Sequence, residues 1–82
     1  MLYSIELKPS AIKDLKRLDK KEALRIAQKI KVLENDLSGN VKKLTNFSPE
    51  YRLRVADYRV LFEIEDNRVI VYRIKRRKEA YR

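Results

Sequence analysis

Two periodicities in this sequence predict an α+β domain in which a two-helix hairpin packs on one face of a mainly antiparallel four-stranded sheet. Apolar residues alternate with polar ones near the start and from Tyr51 to Val55, the period of half-buried strands, and two further strand-like runs rich in β-branched and aromatic residues follow up to Ile74. Between Ala11 and Leu37 they recur instead at spacings of three and four, the period of helices with one apolar face. The links between the last three runs are only two or three residues long, which implies an antiparallel meander. One strand, two helices and three strands cannot form an all-helical bundle. The hairpin therefore covers one sheet face and leaves the other open.

The first strand is "LYSIELK", Leu2 to Lys8, with Tyr3, Ile5 and Leu7 on one side. Pro9 and Ser10 open a helix for which Ser10 fits the N-cap, and Ala11, Ile12, Leu15 and Leu18 form its apolar stripe. Asp19 followed by Glu22 resembles a capping box and starts the second helix. There Ala23, Ile26, Ala27, Ile30, Leu33 and Leu37 make the buried stripe. Lys20, Lys21, Arg25, Lys29 and Lys31 lie mostly off that stripe and read as the solvated face of a hairpin rather than a membrane-surface arm. "NDLSGN", with Gly39 as the only glycine, ends the helix. "NVKKLTNFSPE", Asn40 to Glu50, reads as a loop with Leu44 and Phe47 tucked inward. Strands follow at Tyr51 to Val55, Tyr58 to Ile64 and Arg68 to Ile74, joined by Ala56-Asp57 and by "EDN".

Composition narrows the chemistry. Eighty-two residues suit one domain, 1–82, with a thin core. Cysteine and histidine are both absent, which removes disulfides, thiolate chemistry, the usual general base and the commonest zinc ligand. Twenty-one Lys and Arg against twelve Asp and Glu give a formal charge of +9, and such a field favours an anionic partner. No apolar run approaches the ~20 residues of a membrane span, and Met1 leads directly into an alternating segment, so a cytoplasmic protein is expected.

The densest signal is "YRLRVADYRV", Tyr51 to Val60. Alternation points Tyr51, Leu53 and Val55 to the core and Arg52 and Arg54 to the open face. In the next strand Arg59, Leu61 and Glu63 share that face. Arginines gathered in this way suit a multivalent anion, because each presents a fork matched to phosphate oxygens. The same charges would also serve to keep a sheet face soluble and to discourage edge pairing. Between Arg68 and Arg82 the chain then carries seven basic residues against one acid, Glu79, with Tyr81 beside the end. Glu63, Glu65 and Asp66 lack the spacing of a metal site; the last two read as turn acids.

"YRLRVADYRVLFEI" followed by "VIVYRIKRRKEAYR" resembles the carboxyl half of RelE-type toxins, within the wider RelE/ParE superfamily of toxin–antitoxin pairs. "LKPSAIKDLKRL" resembles that family's opening strand and first helix. The resemblance covers nearly the whole chain and implies a RelE-like fold, a ribonuclease that cuts messenger RNA in the ribosomal A site, and no metal or cofactor. It implies a catalytic set of Arg52, Arg54, Arg59, Arg77 and Tyr81, with Arg73, Lys75, Arg76, Lys78 and Arg82 contacting RNA. It also implies the ribosome, messenger RNA and a cognate antitoxin as partners, and no membrane. Some relatives carry Lys where this chain has Arg52 and Arg54, and the superfamily often shows His-Arg where this chain has Arg76-Arg77.

The implied reaction is attack of an RNA 2′-hydroxyl on the adjacent phosphate, which leaves a 2′,3′-cyclic phosphate and a free 5′-hydroxyl. Arg52, Arg54 and Arg59 suit stabilisation of the charge that builds on phosphorus. Arginine, with a pKa above ~12, is a poor base, which leaves the Tyr81 phenol as the leading proton acceptor. Arg77 would stabilise or protonate the departing 5′-oxygen. Two rival readings share these features: a ParE-like protein that inhibits a topoisomerase, and a nonenzymatic nucleic-acid binder whose basic face supplies affinity only.

Overall fold

The computed structural model describes residues 2–35, 37, 41–45 and 48–78. Its elements run in the order β1 (Ser4–Leu7), α1 (Pro9–Lys16), α2 (Lys20–Val32), β2 (Val41–Lys43), β3 (Tyr51–Val55), β4 (Tyr58–Glu65) and β5 (Arg68–Arg76). The strands form one five-stranded sheet in the order β1-β5-β4-β3-β2. The α+β architecture follows the sequence pattern, with one strand more than expected. Val41–Lys43, expected as loop, pairs antiparallel with β3 as an edge strand. β1 pairs parallel with β5, and the other strand pairs are antiparallel.

Local chemistry explains the remaining differences. Pro9 occupies the first turn of α1, where a missing N–H costs nothing, so the helix begins one residue before the expected Ser10 cap and Lys8 becomes the N-cap. Asp19 is the N-cap of α2 as expected, but its side chain makes no cap hydrogen bond, so the capping box is not formed. In the α2 stripe Ile26, Ile30 and Leu33 are buried while Ala27 is exposed. The expected inward Phe47 and the helix-ending Gly39 lie outside the described residues.

The core lies between the helices and one sheet face. Ala11, Ile26, Ile30 and Leu33 meet Leu53, Val55, Val60, Phe62, Val69, Val71 and Ile74. Phe62, fully buried, sits opposite Tyr51 in register, and their rings stack with centroids 5.6 Å apart. Burying such a side chain contributes about 1.5–3 kcal/mol, which makes it a main anchor for β4 in so small a core.

The far sheet face is not uniformly wet. Leu61 and Ile70 are only 3% and 2% exposed yet stand outside the main core cluster. In register Arg52 and Arg73 flank Leu61, while Glu6 and Glu63 flank Ile70. Charged side chains with long aliphatic stems thus border a small apolar strip.

β5 carries an irregularity with consequences for this face. Leu61 is opposite Arg73 but Phe62 is opposite Val71, which leaves Tyr72 as the extra residue of a bulge. β1 pairs only with residues 68–71, so β5 has an open edge beyond the bulge. There α1 runs alongside, and the Asp14 carboxylate takes the place of a neighbouring strand: Ile74 N–H donates to its Oδ2 at 2.8 Å. Arg73 holds the same carboxylate through both oxygens, Nε to Oδ2 at 2.8 Å and Nη2 to Oδ1 at 3.1 Å.

Burial alone would raise the Asp14 pKa, but the Arg73 hydrogen bonds, the Ile74 N–H and the charges of Arg73 and Arg17 outweigh it and hold the carboxyl below its ordinary value. A depressed folded-state pKa stabilises the fold above the unfolded-state value, and that contribution is lost as pH falls through the folded value. The urea midpoint of wild type should therefore exceed that of Asp14→Asn by a constant margin from about pH 7 to 5, and the margin should shrink below about pH 4. A margin unchanged down to pH 3 would contradict the ionic account of this contact.

Candidate functional site

Strand register gathers the arginines more tightly than alternation alone indicates. Arg54 is directly opposite Arg59 on β4, and Arg59 is directly opposite Lys75 on β5. Directly paired residues share a sheet face with Cβ atoms about 4.5–5.5 Å apart, so three cationic side chains form one row across three strands. The adjacent row runs Lys42, Arg52, Leu61 and Arg73. Like charges placed opposite one another oppose folding, since two unit charges about 6 Å apart near a protein surface repel by about 3 kcal/mol. A polyanion laid across these rows relieves that repulsion.

The members of the rows differ in setting. Arg54 is exposed and Arg52 half-buried. Arg59 is only 6% exposed, contrary to its expected place on an open surface. Its Nη1 donates to the Tyr58 carbonyl at 3.0 Å and the Ala56 carbonyl at 3.2 Å. Those bonds tie it to the two-residue β3–β4 turn, where Ala56 has a φ of 52°, a left-handed conformation that costs a non-glycine residue about 1–2 kcal/mol. Arg59 thus braces a strained turn and holds a largely buried, fixed guanidinium at the end of the sheet.

The basic residues that follow collect at that same end. Arg76 is opposite Tyr58, and the Arg77 N–H donates to the Asp57 carbonyl at 2.7 Å, so the chain leaves β5 beside the braced turn. Arg76, Arg77 and Lys78 are exposed and line a groove with Glu22, Asp57 and Tyr58. Lys75 joins the Arg54–Arg59 row, whereas Arg73 commits two nitrogens to Asp14. Tyr81 and Arg82 lie outside the described residues. The Glu63 carboxylate accepts the Glu50 N–H, at 3.0 and 3.2 Å to its two oxygens, and secures the approach to β3.

Two residues of the site escape a reading by alternation. Lys42 stands in the Arg52 row because its segment is an edge strand, a status hidden by the Pro and mixed polarity around it. Asp14 had a legible signal: an acid three residues after Ala11 and four before Leu18 falls on the buried stripe of its helix.

Comparison with known proteins agrees with the fold. The family described as the ParE toxin of the type II toxin–antitoxin system, parDE, matches residues 5–81. The toxin RelE3 of Methanocaldococcus jannaschii is 36% identical over 47 residues, 57% of this chain and 53% of that protein. The match thus spans about half the length of that curated relative. The archaeal RelE–RelB complex of Pyrococcus horikoshii contains a chain with a TM-score of 0.80 and 26% identity, covering 98% of this chain and 100% of its own. The RelB–RelE antitoxin–toxin complex of Methanococcus jannaschii gives a TM-score of 0.73 at 27% identity, with coverages of 89% and 91%. Among the described residues no helix is long and apolar enough to cross a membrane.

Proposed function

The chain belongs to the ParE toxin family of type II toxin–antitoxin systems, as a RelE-type member of the RelE/ParE superfamily, and on that premise we propose that it is a ribosome-dependent, metal-independent endoribonuclease that cuts messenger RNA in the A site. The observation that carries this reading is the row Arg54, Arg59 and Lys75 with Arg52 beside it, a cationic cradle for a phosphate whose charge rises during reaction.

In the proposed reaction the RNA 2′-oxygen bonds to the adjacent phosphorus while its proton passes to the Tyr81 phenolate. The bond from phosphorus to the 5′-oxygen breaks, and that oxygen takes a proton supplied or relayed at Arg77. The products are a 2′,3′-cyclic phosphate and a 5′-hydroxyl, so atoms and protons balance without an added nucleophile. Arg52 and Arg54 neutralise the equatorial oxygens, and the braced Arg59 does so without reorganisation. The ribosome contributes alignment of the strand.

RelE proteins in the solved relatives are held by RelB, and an antitoxin of the same kind fits this chain. Its segment would be acidic where it covers the arginine rows and apolar where it meets Ile12, Leu24 and Val32, which the helices leave 40%, 59% and 53% exposed.

Mapping RNA ends by primer extension on a programmed ribosome, beside free RNA, tests the reading. Cuts within the A-site codon that require the ribosome support it. Intact RNA together with inhibited supercoiling by a purified topoisomerase would favour the activity suggested by the ParE description of the matched family. Binding without either effect would leave a nucleic-acid contact face.

A further inference from the structure

We infer that Asp14 is a positioning residue: by gripping β5 just beyond its bulge, it holds Lys75 in the arginine row on which the proposed cleavage rests. β4 presents even-numbered residues to the core along its length, Val60 and Phe62 among them. β5 does not keep one parity. Val69 and Val71 face the core before Tyr72, and Ile74 faces it afterwards. The bulge therefore reverses the alternation, and only because of it does Lys75 emerge on the face of Arg54 and Arg59.

Without the bulge the strand would slip by one residue. Lys75 would then turn toward the helices and Ile74 toward the arginine face. Burial of Ile74 opposes that slip, and so does Asp14, whose carboxylate binds the two residues immediately after the extra one. It takes the Arg73 guanidinium on both oxygens and the Ile74 N–H on Oδ2. Asp14 is only 8% exposed, and its hydrogen bonds reach Arg73 and the Ile74 N–H rather than the Lys75 side chain, so its effect on Lys75 passes through strand register.

The inference is tested by Asp14→Ala and Asp14→Asn, each in the wild-type and the Lys75→Ala backgrounds. Cleavage on programmed ribosomes gives kcat and KM, and methyl NMR of the free protein follows the Ile74–Val60 contact. Asn retains an oxygen for the Ile74 N–H, so it should restore most of the activity that Ala loses. Asp14→Ala is expected to lower kcat/KM about 10-fold in the wild-type background and less than 2-fold when Lys75 is already absent, because the two changes remove one effect. The Ile74–Val60 contact should weaken in Asp14→Ala and persist in Asp14→Asn. Equal losses in both backgrounds, or an unchanged Ile74–Val60 contact in folded Asp14→Ala, would overturn the inference. Should wild type cut no RNA, the functional reading fails separately, and the NMR contact still decides whether Asp14 fixes the register.

Discussion

Arg54→Ala is expected to lower the rate of ribosome-dependent RNA cleavage by about 100- to 1,000-fold, the loss typical of removing one preorganised group from a developing oxyanion. Arg54 is exposed, faces Arg59 directly across the ladder, and contributes no side chain to the core. Its removal relieves repulsion within the row, so the thermal midpoint should hold or rise while activity falls. That opposite movement separates a functional arginine from one kept for solubility. Arg59→Ala provides the contrast. It removes the donor to the Ala56 and Tyr58 carbonyls and leaves a strained turn unbraced, so stability and cleavage should fall together. Arg54→Lys should recover part of the rate, since it keeps the charge and loses the fork. An Arg54→Ala variant that cuts within threefold of wild type would remove this residue from the cradle.

The amino-acid pattern made most of the fold legible because burial on one face writes itself as alternation. Tyr51, Leu53 and Val55 against Arg52 and Arg54 placed the sheet faces correctly, and Ile26, Ile30 and Leu33 located the helix stripe. Register is different in kind, because it depends on which residues of separate strands meet. That Arg54 opposes Arg59, and that Lys75 completes the row, follows from hairpin turns of two residues and from the Tyr72 bulge. The bulge did leave a mark, since Val69, Val71 and Ile74 break strict alternation by one residue. Val41–Lys43 is less visible: a three-residue edge strand buries too little to impose a period. The burial of Arg59 was hidden for another reason, as its partners are backbone carbonyls, which every residue carries.

Tyr81→Phe is expected to reduce cleavage on the ribosome by about 100- to 10,000-fold while leaving ribosome affinity within threefold, the range for losing a general base. Arg77 is anchored at the Asp57 carbonyl beside the braced turn. Tyr81 follows Arg77 by four residues in the sequence. With no histidine in the chain, the proposed cleavage assigns the 2′-hydroxyl proton to Tyr81, which the sequence sets among Arg76, Arg77, Lys78 and Arg82. Phenylalanine retains the ring for stacking on a base and removes only the oxygen, whereas Tyr81→Ala removes both. If Tyr81 acts as the base, the wild-type rate should rise with pH and the Phe variant should lose that dependence. A Phe variant with wild-type rate and pH dependence would exclude proton transfer by Tyr81. Retained activity in Phe with loss in Ala would assign the ring to stacking, and the proton would have to leave through the RNA or the ribosome.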